Sequence, residues 1–222
     1  MKPFKPPAAH ATRTILFACV ALQLVGLVMG AGFDQALILA AGLVPARLTG
    51  EVIGLQSAIP APLTLLTHMF LHGGLLHLAM NMVFLAWVGR HVEWLIGPAR
   101  FVLLFLLGGI AGGLLQVFMT PGSVIPVVGA SGAIAAVFAT YALLFAQNGE
   151  APVMVFGLRI SGETVRAFRY AALWIGLQLL TAVAFNLPGS GGVAIWAHIG
   201  GFVVGLLFGL PWVRNRREQD FQ

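Results

Sequence analysis

Long apolar runs separated by short polar segments dominate the chain. A helix that crosses a bilayer needs roughly 20 consecutive, mostly apolar residues. Six stretches approach that description: Thr14–Gly32, Leu75–Val92, Phe101–Met119, Val128–Ala146, Tyr170–Phe185 and Val193–Val213, the fifth being the shortest. The segments between them are unequal. The first, Phe33–Gly74, carries Pro45, Pro60 and Pro62 and is too apolar for a free linker, so it is expected to fold on or partly into the membrane. Thr120–Val127 holds Pro121, Gly122 and Pro126, and Asn186–Gly192 is short and rich in glycine. The pattern predicts an all-α membrane protein. Residues 14–213 would form a six-transmembrane-helix bundle between an N-terminal tail, 1–13, and a C-terminal tail, 214–222, with no second domain.

Composition supports the same solvent. The chain is 59% hydrophobic and only 9% charged, against about 25% charged in soluble domains, and its mean hydropathy is +0.94. The net charge of +5 raises nucleic acid as a partner. The cations are scattered around the apolar runs and build no basic face, so no nucleic acid is expected. Their placement encodes direction instead. With the N-terminus in the cytoplasm, Lys2, Lys5, Arg13, Arg90, Arg100, Arg159, Arg166, Arg169, Arg214, Arg216 and Arg217 all face inward, and Arg47 alone faces outward. Six spans then return the C-terminus to the cytoplasm, as expected of a multi-pass protein of a bacterial inner membrane. Lys2, Lys5 and Arg13 ahead of the first run also suit a secretory leader, but no small-x-small cleavage site follows, so the run reads as a span. Cys19 is the single cysteine, which leaves no intrachain disulfide and reads as a small buried or lipid-facing hydrophobe.

Polar groups inside a membrane are expensive and mark candidate sites. Here they are His77 and Asn81 in the second span, Ser131 in the fourth and His198 in the sixth; Gln116 and Gln178 are expected to make hydrogen bonds between helices. The second, fourth and sixth spans all enter from the outside, and the four polar residues lie near the starts of their spans. They therefore share one depth, near the outer face. His77 and Asn81, four apart, project from one helix face.

Ser131 sits in Gly129-Ala130-Ser131-Gly132. The glycines allow close backbone approach and leave the hydroxyl uncrowded, although such a match in a Gly/Ala-rich membrane chain is equally a packing motif. It only partly matches the hydrolase elbow G-x-S-x-G, because Ala133 stands in the last position. The stretch Ser131–Ala146 gives about 24 Å of helix in a hydrocarbon core of about 30 Å, which would submerge the hydroxyl below the outer surface. Irregular backbone leading down to it is tolerated only in a protein or water-filled surround. His198 is followed by Gly200, Gly201 and Gly205, small residues that would let its helix press on the fourth span. A neutral histidine there can take the hydroxyl proton and later return it to a leaving amine. The alternative reading of a lone membrane histidine is a packing residue. Gly108, Gly109, Gly112, Gly113, Gly201, Gly205 and Gly209 are read as close-packing positions. His68 and His72 have zinc-like spacing, but no carboxylate or cysteine stands nearby, so no metal is expected; His72 is expected to tie the first loop to its neighbours.

Taken together, these motifs resemble the rhomboid family. His72-Gly-Gly-Leu-Leu-His77-Leu-Ala-Met-Asn81 is similar to its second-span motif, Gly129-Ala-Ser131-Gly132 to its serine motif, and Ala197-His198-Ile-Gly-Gly201, with Gly205 beyond, to its sixth-span motif. Gly89-Arg-His-Val-Glu93 through Gly97 and Arg100-Phe101 also look familial. The resemblance implies an intramembrane serine endopeptidase with a Ser131–His198 dyad. It further implies an oxyanion site made from the side chains of His77 and Asn81 and the backbone N–H of Ser131, with no cofactor. The implied partners are the lipid bilayer and single-span membrane proteins, cut at small residues in locally unstable helix. Inactive relatives typically lack the serine or the histidine; this chain keeps both. It departs from the family twice. No Trp-Arg pair occurs in the first loop, and Ala135 stands where some members place an aromatic on the catalytic histidine. The rival readings are a non-enzymatic membrane-protein binding or quality-control factor of the same shape and, more remotely, a small transporter, which would want its polar groups at mid-membrane.

Overall fold

The computed structural model describes residues 8–51, 59–145, 152–155, 158–162, 165–166, 169–170, 172–174, 176–177 and 194–220. Among them the chain is helical almost throughout. Helix α1 spans His10–Met29 and stops where Gly30 adopts φ +92°, backbone open to glycine because it has no Cβ. The chain resumes as α2, Ala31–Ala41, and a short α3, Pro45–Thr49. A brief α4, Thr64–Thr67, is flanked by tight helical turns at Ala61–Leu63 and His68–Phe70. The bundle continues with α5, Leu75–Ile96, and α6, Pro98–Met119. It is completed by α7, Ser131–Phe145, a two-stranded hairpin of β1, Val153–Val155, and β2, Leu158–Ile160, and finally α8, Ile195–Asp220. Residues 169–170, 172–174 and 176–177 are helical; the rest of the predicted fifth span, with Gln178 and the loop Asn186–Gly192, lies outside the described residues.

Four helices among those described are long and apolar enough to cross a membrane: α1, α5, α6 and α8. The expected fourth span is different. It begins at Ser131 rather than Val128 and has only 15 residues, about 22 Å of helix. Its residues Gly132–Thr140 are all buried, so α7 is the central rod, enclosed by α5, α6 and α8. A helix shielded by protein need not match the bilayer thickness. Other bounds shift too, α6 for instance beginning at Pro98 rather than Phe101. The first helix starts four residues before Thr14; α5 runs past Val92 to Ile96 and takes Glu93 with it; and α8 continues through Pro211 beyond Val213.

The first loop, expected to fold on or partly into the membrane, is mostly helical among its described residues and sewn to the third. Leu43 and Val127 pair as antiparallel backbone, and Ala46 N–H donates to Ser123 O. Arg47 donates to Leu39 O and Ala40 O, satisfying carbonyls that the end of α2 leaves without helical partners. At the other end of the bundle, buried Glu93 accepts the N–H groups of Ala11 and Thr12 at 2.9 and 2.8 Å and the hydroxyl of Thr12 at 2.7 Å. A carboxylate at a helix N-terminus satisfies orphan donors and the helix dipole together, and this one fastens α1 to α5.

Candidate active site

Glycines bring the elements of the site together. A Cβ on Gly201 of α8 would overlap Gly132 O of α7, one on Gly205 would overlap Ala136 O, and one on Gly112 of α6 would overlap Ala197 O. The start of α8 is thus wedged against α6 and α7, backbone to backbone. Gln116 of α6 steadies the same turn: its Oε1 accepts Ala197 N–H at 3.3 Å while its Nε2 donates to Thr120 Oγ1. Thr140 Oγ1 donates to Gly205 O lower in the interface.

This seating places His198, 3% exposed, with Nε2 at 2.7 Å from Ser131 Oγ. The two residues are 67 positions apart in sequence. Ser131 opens α7, where the first backbone N–H groups have no intrahelical acceptor. Two residues earlier Gly129 adopts φ +123°, and a Cβ there would come within 2.8 Å of the His77 imidazole, so the turn needs glycine on both counts. The Gly129 N–H donates to His68 O at 2.9 Å, tying the serine turn to the loop before α5.

His77 and Asn81 stand on the first turns of α5, which begins after Gly74 at φ +127°. His77 Nδ1 accepts Gly73 N–H at 3.4 Å. A neutral imidazole accepting there carries its proton on Nε2, the nitrogen beside Gly129. Asn81, buried, donates from Nδ2 to its own helix carbonyl at His77, 2.9 Å away. One N–H of that amide is therefore committed to the helix, and the second is the one with which it could serve a ligand.

His72 is buried with both ring nitrogens lacking a well-formed hydrogen bond, and its ring meets His77 at 5.2 Å and 70°. Burial, and then the neighbouring His77, push its pKa down to about 3. His68 is equally buried; its Nδ1–H donates to Thr64 O at 2.8 Å, and burial lowers its pKa to about 4. Both are neutral imidazoles near pH 7. Among the described residues no group of three His, Cys, Asp or Glu side chains could hold a metal.

Two contributors were not anticipated. Trp174, from the fifth helical segment, contacts the His198 ring at 6.2 Å and 71° and is itself stacked on Phe138 and Phe202 at 5.4 and 5.5 Å. Gln116 was recognised as an interhelical bonder, but not as the support of the residue preceding His198. A tryptophan in a short apolar run carries no sequence signal of its target.

The three described carboxylates with placed side chains are occupied elsewhere. Asp34 lies over Gly26 of α1, Glu51 beside Gly122, and Glu93 at the start of α1.

Comparison with known proteins decides the family. The model of the Rhomboid domain matches residues 61–215. The chain belongs to the rhomboid family. Among rhomboid relatives, it is 34% identical over 145 residues to RHOMBOID-like protein 4 of Arabidopsis thaliana, covering 65% of this chain and 32% of that one. It is 33% identical over 147 residues to Rhomboid protease GluP of Bacillus subtilis, covering 66% and 26%. With Rhomboid-like protease 5 of Toxoplasma gondii it shares 31% over 151 residues, covering 66% and 16%. The match thus spans a third or less of the length of these relatives. Rhomboid membership and the apolar helices make the chain an integral membrane protein.

Proposed function

We propose that this chain is an intramembrane serine endopeptidase that hydrolyses peptide bonds in or next to transmembrane segments of other proteins. The single observation that carries the reading is the 2.7 Å approach of His198 Nε2 to Ser131 Oγ at the head of α7. Ser131 Oγ attacks the scissile carbonyl as its proton passes to His198 Nε2. The protonated imidazole then gives that proton to the leaving amine, and water hydrolyses the acyl-serine by the same relay. Negative charge on the former carbonyl oxygen is met by the N–H of Ser131, His77 Nε2–H and the second Asn81 N–H. Gly129, Gly132 and Gly201 allow the close approaches, and buried neutral His72 packs behind His77.

Six spans, with residues 14–213 as the catalytic bundle, both termini in the cytoplasm and the first loop against the outer leaflet, complete the reading, supported by the eleven-to-one split of cations. A bacterial inner membrane is the proposed location, and single-span proteins with small residues in unstable helix are the proposed substrates.

A serine-directed fluorophosphonate probe, paired with cleavage of one defined transmembrane substrate in liposomes, tests this. Folded protein should be labelled and should cleave, and Ser131→Ala should do neither. Folded protein that takes no label and cuts nothing would instead be a membrane-protein binder of rhomboid shape.

A further inference from the structure

A cavity of about 670 Å³ opens between the first two turns of α1 and the last turns of α5, at the end of the bundle away from Ser131. From His77 to Arg90 is 13 residues, or about 20 Å along α5, so the cavity and the serine belong to opposite membrane faces. The volume is in the range of ligand sites. Arg13 and Arg90 supply positive charge to its lining, Thr12 and His91 add polar groups, and Leu16, Ala86 and Trp94 supply apolar wall.

Among the described residues no carboxylate lines the cavity. Glu93, one residue from Trp94, is spent on Ala11 and Thr12 of α1. The occupant must therefore bring its own negative charge. It must also bring apolar length. Below the cavity, Val20 continues the helical stripe of Leu16 on α1, and Val83, 72% exposed, lies on the α5 face of Trp87. A small inorganic anion would use the arginines and waste the walls, and a neutral lipid would do the reverse. Trp94, 42% exposed, lines the cavity, and tryptophans favour the headgroup level of a bilayer.

We propose that this cavity holds one anionic glycerophospholipid, its phosphate against Arg13 and Arg90 and its acyl chains along the lower α1–α5 face. Basic pockets between transmembrane helices are suited to anionic headgroups. The lipid would brace α1 where Glu93 already fastens it.

The test is retention of phosphatidylglycerol by the full chain after extraction from phosphatidylcholine bilayers doped with it, read by native mass spectrometry. The expected result is one phosphatidylglycerol per chain, weakened about fivefold by Arg13→Gln or Arg90→Gln and roughly 30-fold by both. Arg100→Gln, which removes a charge from the α6 start outside the cavity, should change nothing. If the double variant does not fold, Ala86→Trp fills the cavity from an exposed position with both arginines intact, and it too should lose the lipid. Unchanged retention in either folded variant would overturn the proposal. So would equal weakening by Arg100→Gln, which would mean diffuse attraction to the basic face, or displacement of the lipid by millimolar inorganic phosphate, which would mean a simple anion site.

Discussion

The rings of Trp174 and His198 meet at 71° with their centroids 6.2 Å apart. Trp174 is in turn stacked against Phe138 and Phe202, so the imidazole is bordered by a fixed aromatic wall. An edge-to-face ring pair contributes about 0.5–1.5 kcal/mol. Trp174→Ala is expected to lower kcat by about two- to tenfold with KM unchanged, and Trp174→Phe to restore most of the loss. A general packing role would move stability and leave kcat intact in the folded fraction.

Catalysis by serine and histidine without an acidic third member is expected from where the carboxylates lie. Asp34 is over Gly26 and Glu51 beside Gly122. In a Ser-His-Asp triad the acid would contact the imidazole and hold its tautomer. Cleavage of a defined transmembrane substrate should vanish in Ser131→Ala and in His198→Ala, and should largely survive Asp34→Asn and Glu51→Gln. A loss in either carboxylate variant as deep as that of His198→Ala would show that the first loop supplies an acid.

For Asn81 the structure sharpens the expectation. Its amide is anchored to His77 O by one N–H, which orients the other before substrate arrives. A preorganised oxyanion donor contributes about 10²–10³ in rate. Asn81→Ala should therefore slow turnover by roughly that factor while the folded fraction keeps its melting temperature within a few degrees. If turnover holds and melting temperature falls instead, the amide serves only the helix.

Acid sensitivity follows from His68 and His72. Both are buried, with folded pKa values near 4 and 3 against an ordinary 6.5. The unfolded chain binds protons first, so stability is complete above about pH 6.5 and is lost as pH falls from there towards 4 and then 3. Thermal midpoints in detergent should drop between pH 7 and pH 4, and His68→Gln should flatten the curve. A midpoint that stays level across that range would contradict the burial of these rings.

Much of this was legible in the sequence. Apolar runs located α1, α5, α6 and α8, because lipid leaves a composition signal about twenty residues long. Counting spans led to the expectation that His77, Asn81, Ser131 and His198 share one depth, and the glycines beside Ser131 and His198 agree with the backbone contact seen between α7 and α8. The misses share a cause. The late start of α7 at Ser131, and its shortness, depend on protein, not lipid, surrounding it. The inclusion of Glu93 in α5 depends on the α1 N–H groups it meets. Trp174 reaches His198 through a fold-level neighbour, and hydropathy along a chain is silent about neighbours.

The wedge of α8 between α6 and α7 has a thermal consequence. Gly201 meets Gly132, Gly205 meets Ala136 and Gly112 meets Ala197 through main-chain atoms, and main-chain atoms have no rotamers to populate. Warming, or exchanging one lipid for another, loosens interfaces built from long side chains by multiplying their conformers, but it finds no such freedom here. The spacing of Ser131 and His198 should therefore stay constant across temperatures and bilayers that soften the rim of the bundle. A steep dependence of turnover on lipid at one temperature would then report the arrival of substrate and not a change in the spacing of the two reacting groups.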